Sequence, residues 1–317
     1  MLIRPMMRNE GRGEALKEIN VLNISGGKDS TAMWILAKER GVDVLPVFAD
    51  TGHEHPITYK YLDYLEEKLG PIHRVRADFS EQIEQKRELI QAKWREEGVP
   101  EEKIAEALEV LQPTGIPFLD LCLWKGRFPA TKARFCTAEL KVRPLLEQVV
   151  WPLLNEGYHV ISWQGVRAQE SPARAKLPER EQTPEGYEIY RPILRWTVED
   201  VFEMHRKHGI EPNPLYKQGM KRVGCMPCIH CNKAELYEIA RRFPEEIERV
   251  AKWEELVKKA SKHGAASFFH IADGHGGSIK EVVEWSKTDY GGVQYDLLKI
   301  IEFEDFPLCS SQYGLCE

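Results

Sequence analysis

The chain lacks any apolar run approaching the roughly 20 residues that a membrane-spanning helix needs. Its start, MLIRPMMRNEGRGEALKEIN, has no apolar core followed by a small-residue cleavage site, so no secretory signal is expected and a cytoplasmic setting is the default. Positive charge is not in surplus: 44 Lys and Arg against 50 Asp and Glu leave a net charge of −6, which argues against a protein that coats nucleic acid nonspecifically. Internal repeats and low-complexity tracts are also absent, which removes solenoids and disordered linkers from consideration. The G-x-x-x-x-G-K-[ST] spacing of the common phosphate loop of ATPases does not occur either.

What is present is an ordinary globular composition over 317 residues, enough for one large α/β domain with an appendage or for two domains. Basic residues concentrate locally. Lys125, Arg127, Lys132, Arg134, Lys141 and Arg143 face a single acid, Glu139, and no acid lies between Glu211 and Glu235, where Lys217, Lys221, Arg222 and Lys233 fall. On charge alone these stretches are either solvated faces or grips for the phosphates of a substrate. Seven cysteines, an odd number with three at tight spacing, suggest metal or redox chemistry over a disulfide framework in a cytoplasmic chain.

INVLNI (residues 19–24) reads as a buried strand, SGGKDS as its exit loop, and TAMWILAKER as a helix ended by Gly41. VDVLPVFADTG is a second strand stopping at Asp50-Thr51-Gly52; TYKYLDYLEEKLG is a helix and IHRVRAD a third strand. That rhythm is the pattern of a parallel sheet with helical crossovers, whose ligands gather at the carboxyl ends of the strands, where SGGKDS and ADTG both lie. Residues 80–112 read as a helical hairpin broken at Gly98-Val99-Pro100. Helices are expected around 141–154, 198–208 and 233–263, a strand-delivered loop in HVISWQGVRAQES, and an irregular end rich in Gly and aromatics.

In SGGKDS, glycines let backbone N–H groups crowd an anion without a Cβ in the way, and the helix N-terminus adds partial positive charge. Ser25, Gly26, Gly27, Lys28, Asp29 and Ser30 are the candidate nucleotide-binding residues. Lys28 can neutralise phosphate oxygens, the two serines can donate, and Asp29 can hold magnesium or fix the loop. A tight strand-to-helix turn capped by Ser or Asp is the plainer alternative. SGGKDS resembles the PP-loop of N-type ATP pyrophosphatases, and ADTGHEHPITYKYL (residues 49–62) looks like the second-strand segment of the branch holding phosphoadenosine phosphosulfate (PAPS) reductases and the ATP sulfurylase small subunit. WQGVRAQESPAR (residues 163–174) resembles that branch's arginine-bearing loop, and Arg167 and Arg174 offer planar forks for an anion, with Glu170 and Ser171 placed to orient them. RFCTAELKVRPL (134–145), RPILRWTVEDVF (191–202) and NPLYKQGMKRVGCMPC (213–228) continue the match in family order from about residue 20 to 231.

The resemblance implies a doubly wound parallel α/β sheet of the adenine nucleotide alpha-hydrolase-like, PP-loop type. A nucleotide-binding domain over 1–212 would carry a helical insertion at about 80–125, and 213–317 would form a cysteine-rich C-terminal region. It adds Asp50, Thr51, Gly52 and Gly165 to the nucleotide site and assigns catalytic roles to Lys28, Asp29 and Arg167. Related reductases hold a 4Fe-4S cluster with a cysteine pair and a later C-x-x-C; here that implies Cys136, Cys225, Cys228 and Cys231 as metal ligands, with zinc as the alternative metal and His230 or Cys122 as alternative ligands. The reductases also carry a nucleophilic cysteine on a C-terminal tail, which points to Cys316, or Cys309, although no histidine follows here.

Reductases of the branch have lost the full SGGKDS, whereas this chain keeps it, like the ATP-using relatives: the sulfur-transfer enzyme of DNA phosphorothioation and the tRNA thiolases. The expected activity is adenylation of a substrate from ATP and Mg2+, coupled to sulfur transfer or redox chemistry; the alternatives are a sulfonucleotide reductase and a non-catalytic nucleotide-binding subunit with structural zinc. Expected partners are ATP or a sulfonucleotide, a nucleic-acid or nucleotide acceptor, and a protein donating sulfur or electrons, with no membrane; a homo-oligomer is compatible. Trp34 and His275 read as core and loop residues.

Overall fold

The computed structural model describes residues 17–269 and 277–288. Cys309, Cys316 and His275 lie outside the described residues.

Six strands form one sheet: β1 (Glu18–Ile24), β2 (Val44–Asp50), β3 (His73–Arg76), β4 (His159–Trp163), β5 (Arg180–Gln182) and β6 (Glu188–Tyr190). Their spatial order is β3-β2-β1-β4-β6-β5, all parallel except β5, which runs antiparallel to β6 at the edge. The chain winds outward from β1 to β3, then returns to β4 on the other flank of β1. That reversal makes the carboxyl ends of β1 and β4 the topological switch point, where a crevice opens in sheets of this kind.

Alternation along β1 serves both faces. Leu22 and Ile24 pack with α1 (Lys28–Glu39), α2 (Pro56–Leu69) and Ile210, burying Trp34, Met33 and Leu62. Val21 turns the other way, against Leu145, Val149 and Val150 of a helical run at residues 135–155. That run contains two wide π-type stretches, Ala138–Val142 and Leu146–Val150, each followed two residues later by a proline, Pro144 or Pro152. A proline within a helix has no N–H for the preceding turn and its ring crowds the carbonyl there, and a widened turn relieves both. The widening turns Leu140 and Lys141 together into the protein.

A separate hydrophobic core joins α3 (Ser80–Leu89), α4 (Glu101–Val110) and α5 (Pro117–Lys125) to the helices Lys233–Arg242, Pro244–Ala260 and Ile279–Ser286. Phe118, Trp253 and Phe268 lie at its centre. The break between α3 and α4 falls at Gly98-Val99-Pro100, after a π-type extension of α3 at Ile90–Trp94. The helix Ile279–Ser286 differs from the irregular end expected from sequence: Ser278 accepts from the Glu281 N–H as its cap, and Ile279, Val282 and Val283 bury one face.

Candidate functional site

The loop after β1 is held by its own hydroxyls. The Ser25 N–H donates to Ser30 Oγ (3.2 Å), the Gly27 N–H to Ser25 Oγ (3.2 Å), and Ser30 Oγ and Thr31 Oγ1 donate to the Gly27 carbonyl (3.1 and 2.9 Å). Gly26 has φ +78°, and a Cβ there would stand 2.9 Å from Thr58 Cγ2, so both conformation and space require glycine. Gly27 is the N-cap of α1 and has no side chain to cap it. The Lys28 N–H instead donates to the Tyr216 hydroxyl at 2.9 Å, while the Lys28 carbonyl faces His205 Nε2 at 2.9 Å. Asn213 Nδ2 donates to the Gly26 carbonyl (3.1 Å), so the segment after the helix Val198–Lys207 clamps the loop from outside.

Asp29 is fully buried, and both of its oxygens are engaged: Lys28 Nζ lies 2.8 Å from Oδ2 and Arg167 Nε 2.6 Å from Oδ1. Of the two roles open to Asp29 in the sequence, this geometry is that of a residue fixing the loop. Arg167 arrives on the loop after β4, where the Arg167 N–H donates to Glu170 Oε2 (2.7 Å) and Arg174 pairs with Glu170 Oε1. Gly165 makes the approach feasible: a Cβ there would meet the Ser30 backbone N at 3.2 Å and the Asp29 carbonyl carbon at 3.3 Å. The two loops at the switch point thus form one unit, with a buried carboxylate between two buried cations.

The ADTG turn forms the next wall. Asp50 Oδ1 accepts from the Gly52 N–H (2.9 Å) and the Tyr59 hydroxyl (2.7 Å), and Thr51 is fully buried. Gly52, at φ +69°, sits where a Cβ would come 3.0 Å from Pro117 of α5. The buried Glu54 accepts from Thr51 Oγ1 (2.7 Å), the Thr51 N–H (3.2 Å) and Tyr59 (3.1 Å). Burial and the two nearby carboxylates push the Tyr59 phenol well up, so it stays a donor.

Glu54 also pairs with Cys225 across a short antiparallel bridge, and Cys225 Sγ is 3.9 Å from Glu54 Oε1 and 3.5 Å from Thr51 Oγ1. His53, buried among Phe118, Trp253 and Phe268, has Nε2 3.0 Å from the Pro227 carbonyl and Nδ1 3.0 Å from Arg249 Nη2. Those partners assign the neutral tautomer protonated at Nε2. Burial, then the Arg249 charge, hold its pKa well below the usual histidine value. The cysteine loop is thereby bolted to the end of β2.

Cys136, Cys225 and Cys228 line one cavity of about 60 Å³, which Ser25, Thr51 and Lys141 also line. Cys231 is not among the lining residues; its thiol is 3.5 Å from the Asn232 carbonyl and has Glu235 and Cys228, which do line the cavity, as neighbours. Burial, reinforced by Glu54, pushes the Cys225 thiol well up against the opposing pull of Lys141; burial and Glu235 do the same to Cys231. Cys122 is fully buried in the helical core, its thiol likewise raised by burial and by nearby Cys136. Burial, then Arg222 and Arg134, bring His230 down to about 4. The donor set has the softness that iron–sulfur or zinc chemistry calls for. Three of these thiols share one cavity, and in this arrangement no three His, Cys, Asp or Glu side chains among the described residues stand close enough to hold a metal ion.

Sequence reasoning assigned no roles to Glu54, Tyr59, His53, Tyr216 and His205. Glu54, His53 and Tyr59 lie in GHEHPITY and Tyr216 in NPLY, while His205 lies in the helix Val198–Lys207 outside both; the roles of His53, Tyr216 and His205 come from partners far along the chain.

A glycine-bearing strand-to-helix turn and an arginine loop meet at the switch point of a doubly wound sheet, the place where α/β proteins of this class gather their ligands. The model of the phosphoadenosine phosphosulfate reductase domain matches residues 19–231, and the chain belongs to that family. It is 52% identical to an uncharacterized 37.8 kDa protein of Escherichia phage 186, over 97% of this chain and 99% of that one. It is 25% identical to a phosphoadenosine 5'-phosphosulfate reductase of Alteromonas mediterranea, over 66% of this chain and 68% of the relative. A crystal structure of the PAPS reductase from Candida auris, in complex with phosphate, aligns with 65% of this chain and 80% of that one at 18% identity and a TM-score of 0.41. No helix among the described residues is long and apolar enough to cross a membrane.

Proposed function

We propose that the chain is an ATP pyrophosphatase that adenylates an acceptor. The observation that carries this reading is the complete SGGKDS loop at the N-terminus of α1, with Lys28 and Asp29 locked to Arg167. An acceptor oxygen attacks the α-phosphorus of ATP, the bond to the bridging oxygen breaks, and diphosphate leaves as AMP is transferred. Lys28 and the loop amides stabilise the charge that develops on diphosphate, adenosine lies toward residues 49–52, and Arg167 and Arg174 hold the anionic side of the acceptor. Because Asp29 is committed to two cations, Mg2+ comes as part of the ATP complex, held by its phosphates.

In the test, purified protein is incubated with ATP, Mg2+ and anionic acceptors, and AMP and diphosphate are measured. Production of both, lost in Lys28→Gln, supports the reading; ATP consumption without diphosphate, or none at all, refutes it.

A second reading is favoured by the cavity that brings Cys136, Cys225 and Cys228 to Ser25 and Thr51: a sulfonucleotide reductase that releases sulfite. It expects sulfite from PAPS or adenosine phosphosulfate with thioredoxin as reductant, and loss of that product on Cys316→Ser or Cys309→Ser. Iron, sulfide and zinc contents of protein purified without oxygen are a separate measurement, on which the adenylation step does not depend.

A further inference from the structure

A second cavity, about 460 Å³ and open to solvent, lies in the helical part of the molecule at the far end of α5 from the ADTG turn. Pro117 at the start of α5 packs on Gly52, and the nine residues of that helix set the cleft about 13 Å away from this contact. Lys86, Lys125, Arg127, Lys262 and His263 line the cleft, and no carboxylate does. Two of these cations are already paired, Lys125 with Glu139 at 3.6 Å and Lys262 with Glu97 at 2.8 Å. Lys86 and Arg127 are not: among the described residues Lys86 Nζ has the Leu123 carbonyl (2.9 Å) as its partner, and the Arg127 guanidinium lies 5.7 Å from the centre of the Phe135 ring. Lys86 is built in, since the left-handed Gly126 leaves the space for it and a Cβ there would stand 2.9 Å from that Nζ. Burial lowers the Lys86 pKa to about 8, which is the state of an ammonium short of a counter-charge. Ser261, more than nine-tenths buried, also lines the cleft, and its hydroxyl has no hydrogen-bond partner among the described residues.

Two uncompensated cations match one phosphate group, which carries about −1.5 to −2 and three strong acceptor oxygens. A carboxylate would meet only one of them, and a polyphosphate would bring more negative charge than they offset. We propose that this cleft binds a single phosphate group, as orthophosphate or as the monoester of a small organic molecule, between Lys86, Arg127 and the Ser261 hydroxyl. The cleft is as large as pockets that hold small organic ligands, and Trp94 supplies an apolar side for the body of such a molecule. Neither the SGGKDS loop nor the cysteine cavity contributes a residue to it, so the inference stands independently of the ATP reading.

The test is isothermal titration calorimetry of the full chain, without ATP and at fixed ionic strength, with orthophosphate and with phenyl phosphate. Arg127→Gln, at an exposed position, should weaken the binding about tenfold or more, the loss of one charged hydrogen bond, with an unchanged thermal midpoint. Lys28→Gln in the SGGKDS loop and Lys217→Gln at an exposed site elsewhere should leave the Arg127-dependent binding as it was. A bound dianion restores the charged form of Lys86, so binding at a pH near its pKa of about 8 should take up about half a proton, read from the heats in buffers of different ionisation enthalpy; Lys86→Met should abolish the uptake. Tighter binding of phenyl phosphate would assign the site to a monoester, and tighter binding of orthophosphate to the free ion. No binding of either, binding lost in Lys28→Gln but indifferent to Arg127→Gln, binding without proton uptake, or equal binding of acetate would overturn the proposal.

Discussion

Arg167→Ala tests the junction of the two loops. Asp29 has no exposed surface, and its oxygens lie 2.6 Å from Arg167 Nε and 2.8 Å from Lys28 Nζ. Removing one partner of a buried ion pair costs about 3–5 kcal/mol when the remaining charge is left alone. Here Lys28 stays, so the loss should sit at or below the lower end, about 2–3 kcal/mol, close to one charged hydrogen bond. Denaturant unfolding followed by tryptophan fluorescence reads it, since Trp34 and Trp163 are buried beside the sheet. Asp29→Asn alone removes the charge that holds Lys28 and Arg167 together, and the double variant should cost less than the sum of the singles, with a coupling of about 1–3 kcal/mol. A wild-type protein at ATP 100-fold above Kd should gain about 2.7 kcal/mol, and Arg167→Ala should lose most of that gain. A cost under 0.5 kcal/mol for Arg167→Ala, or strict additivity with Asp29→Asn, would refute the claim that the pair joins the loops.

Gly26→Ala combines a left-handed φ with a 2.9 Å approach to Thr58, and should destabilise by about 1–3 kcal/mol in the same unfolding measurement. Tyr216→Phe removes the hydroxyl that now takes the Lys28 N–H. If a phosphate oxygen needs that donor, calorimetry should show ATP binding tightened about fivefold, the worth of a hydrogen bond of about 1 kcal/mol; weaker binding would mean that the hydroxyl itself holds the nucleotide. His53 and His205 both have folded pKa values lowered chiefly by burial, so the unfolded chain binds the extra protons. Their contribution is present above pH 6.5 and is lost as pH falls below it, by up to about 1.4 kcal/mol per pH unit for each histidine. In unfolding curves between pH 6.5 and 5.5, His53→Gln should flatten the slope by as much as one such step, and an unchanged slope would refute the assignment.

What could be read in the chain was local. The unit β1, SGGKDS and α1 declares itself because a buried apolar run, two adjacent glycines and an apolar helix follow one another without a gap. β5 does not: Arg180–Gln182 is three exposed residues with no alternation, a strand only because β6 lies beside it. The packing of the helical core was hidden in another way: helices were legible at 80–112 and 233–263, but the core joins residues 79–128 and Leu140 to residues 215–283, and an apolar helix face does not name its partner.

The same distinction separates the two halves of the candidate site. Lys28 and Asp29 are chain neighbours, and their pairing with Arg167 spans 138 residues, yet each of the three was already marked by chemistry suited to an anion. Cys225, Cys228 and Cys231 were marked by spacing, and spacing fixes only how close the backbones come, not where the sulfurs point. The loop that carries them is positioned by Glu54 and His53, more than 170 residues earlier, and those contacts turn Cys225 toward Thr51 while Cys231 faces the Asn232 carbonyl. The chemistry open to these thiols therefore depends on the buried His53–Arg249 and Glu54–Cys225 contacts, so substitutions at Glu54 or Arg249, neither of which is a thiol, should alter cysteine reactivity while leaving the SGGKDS loop intact.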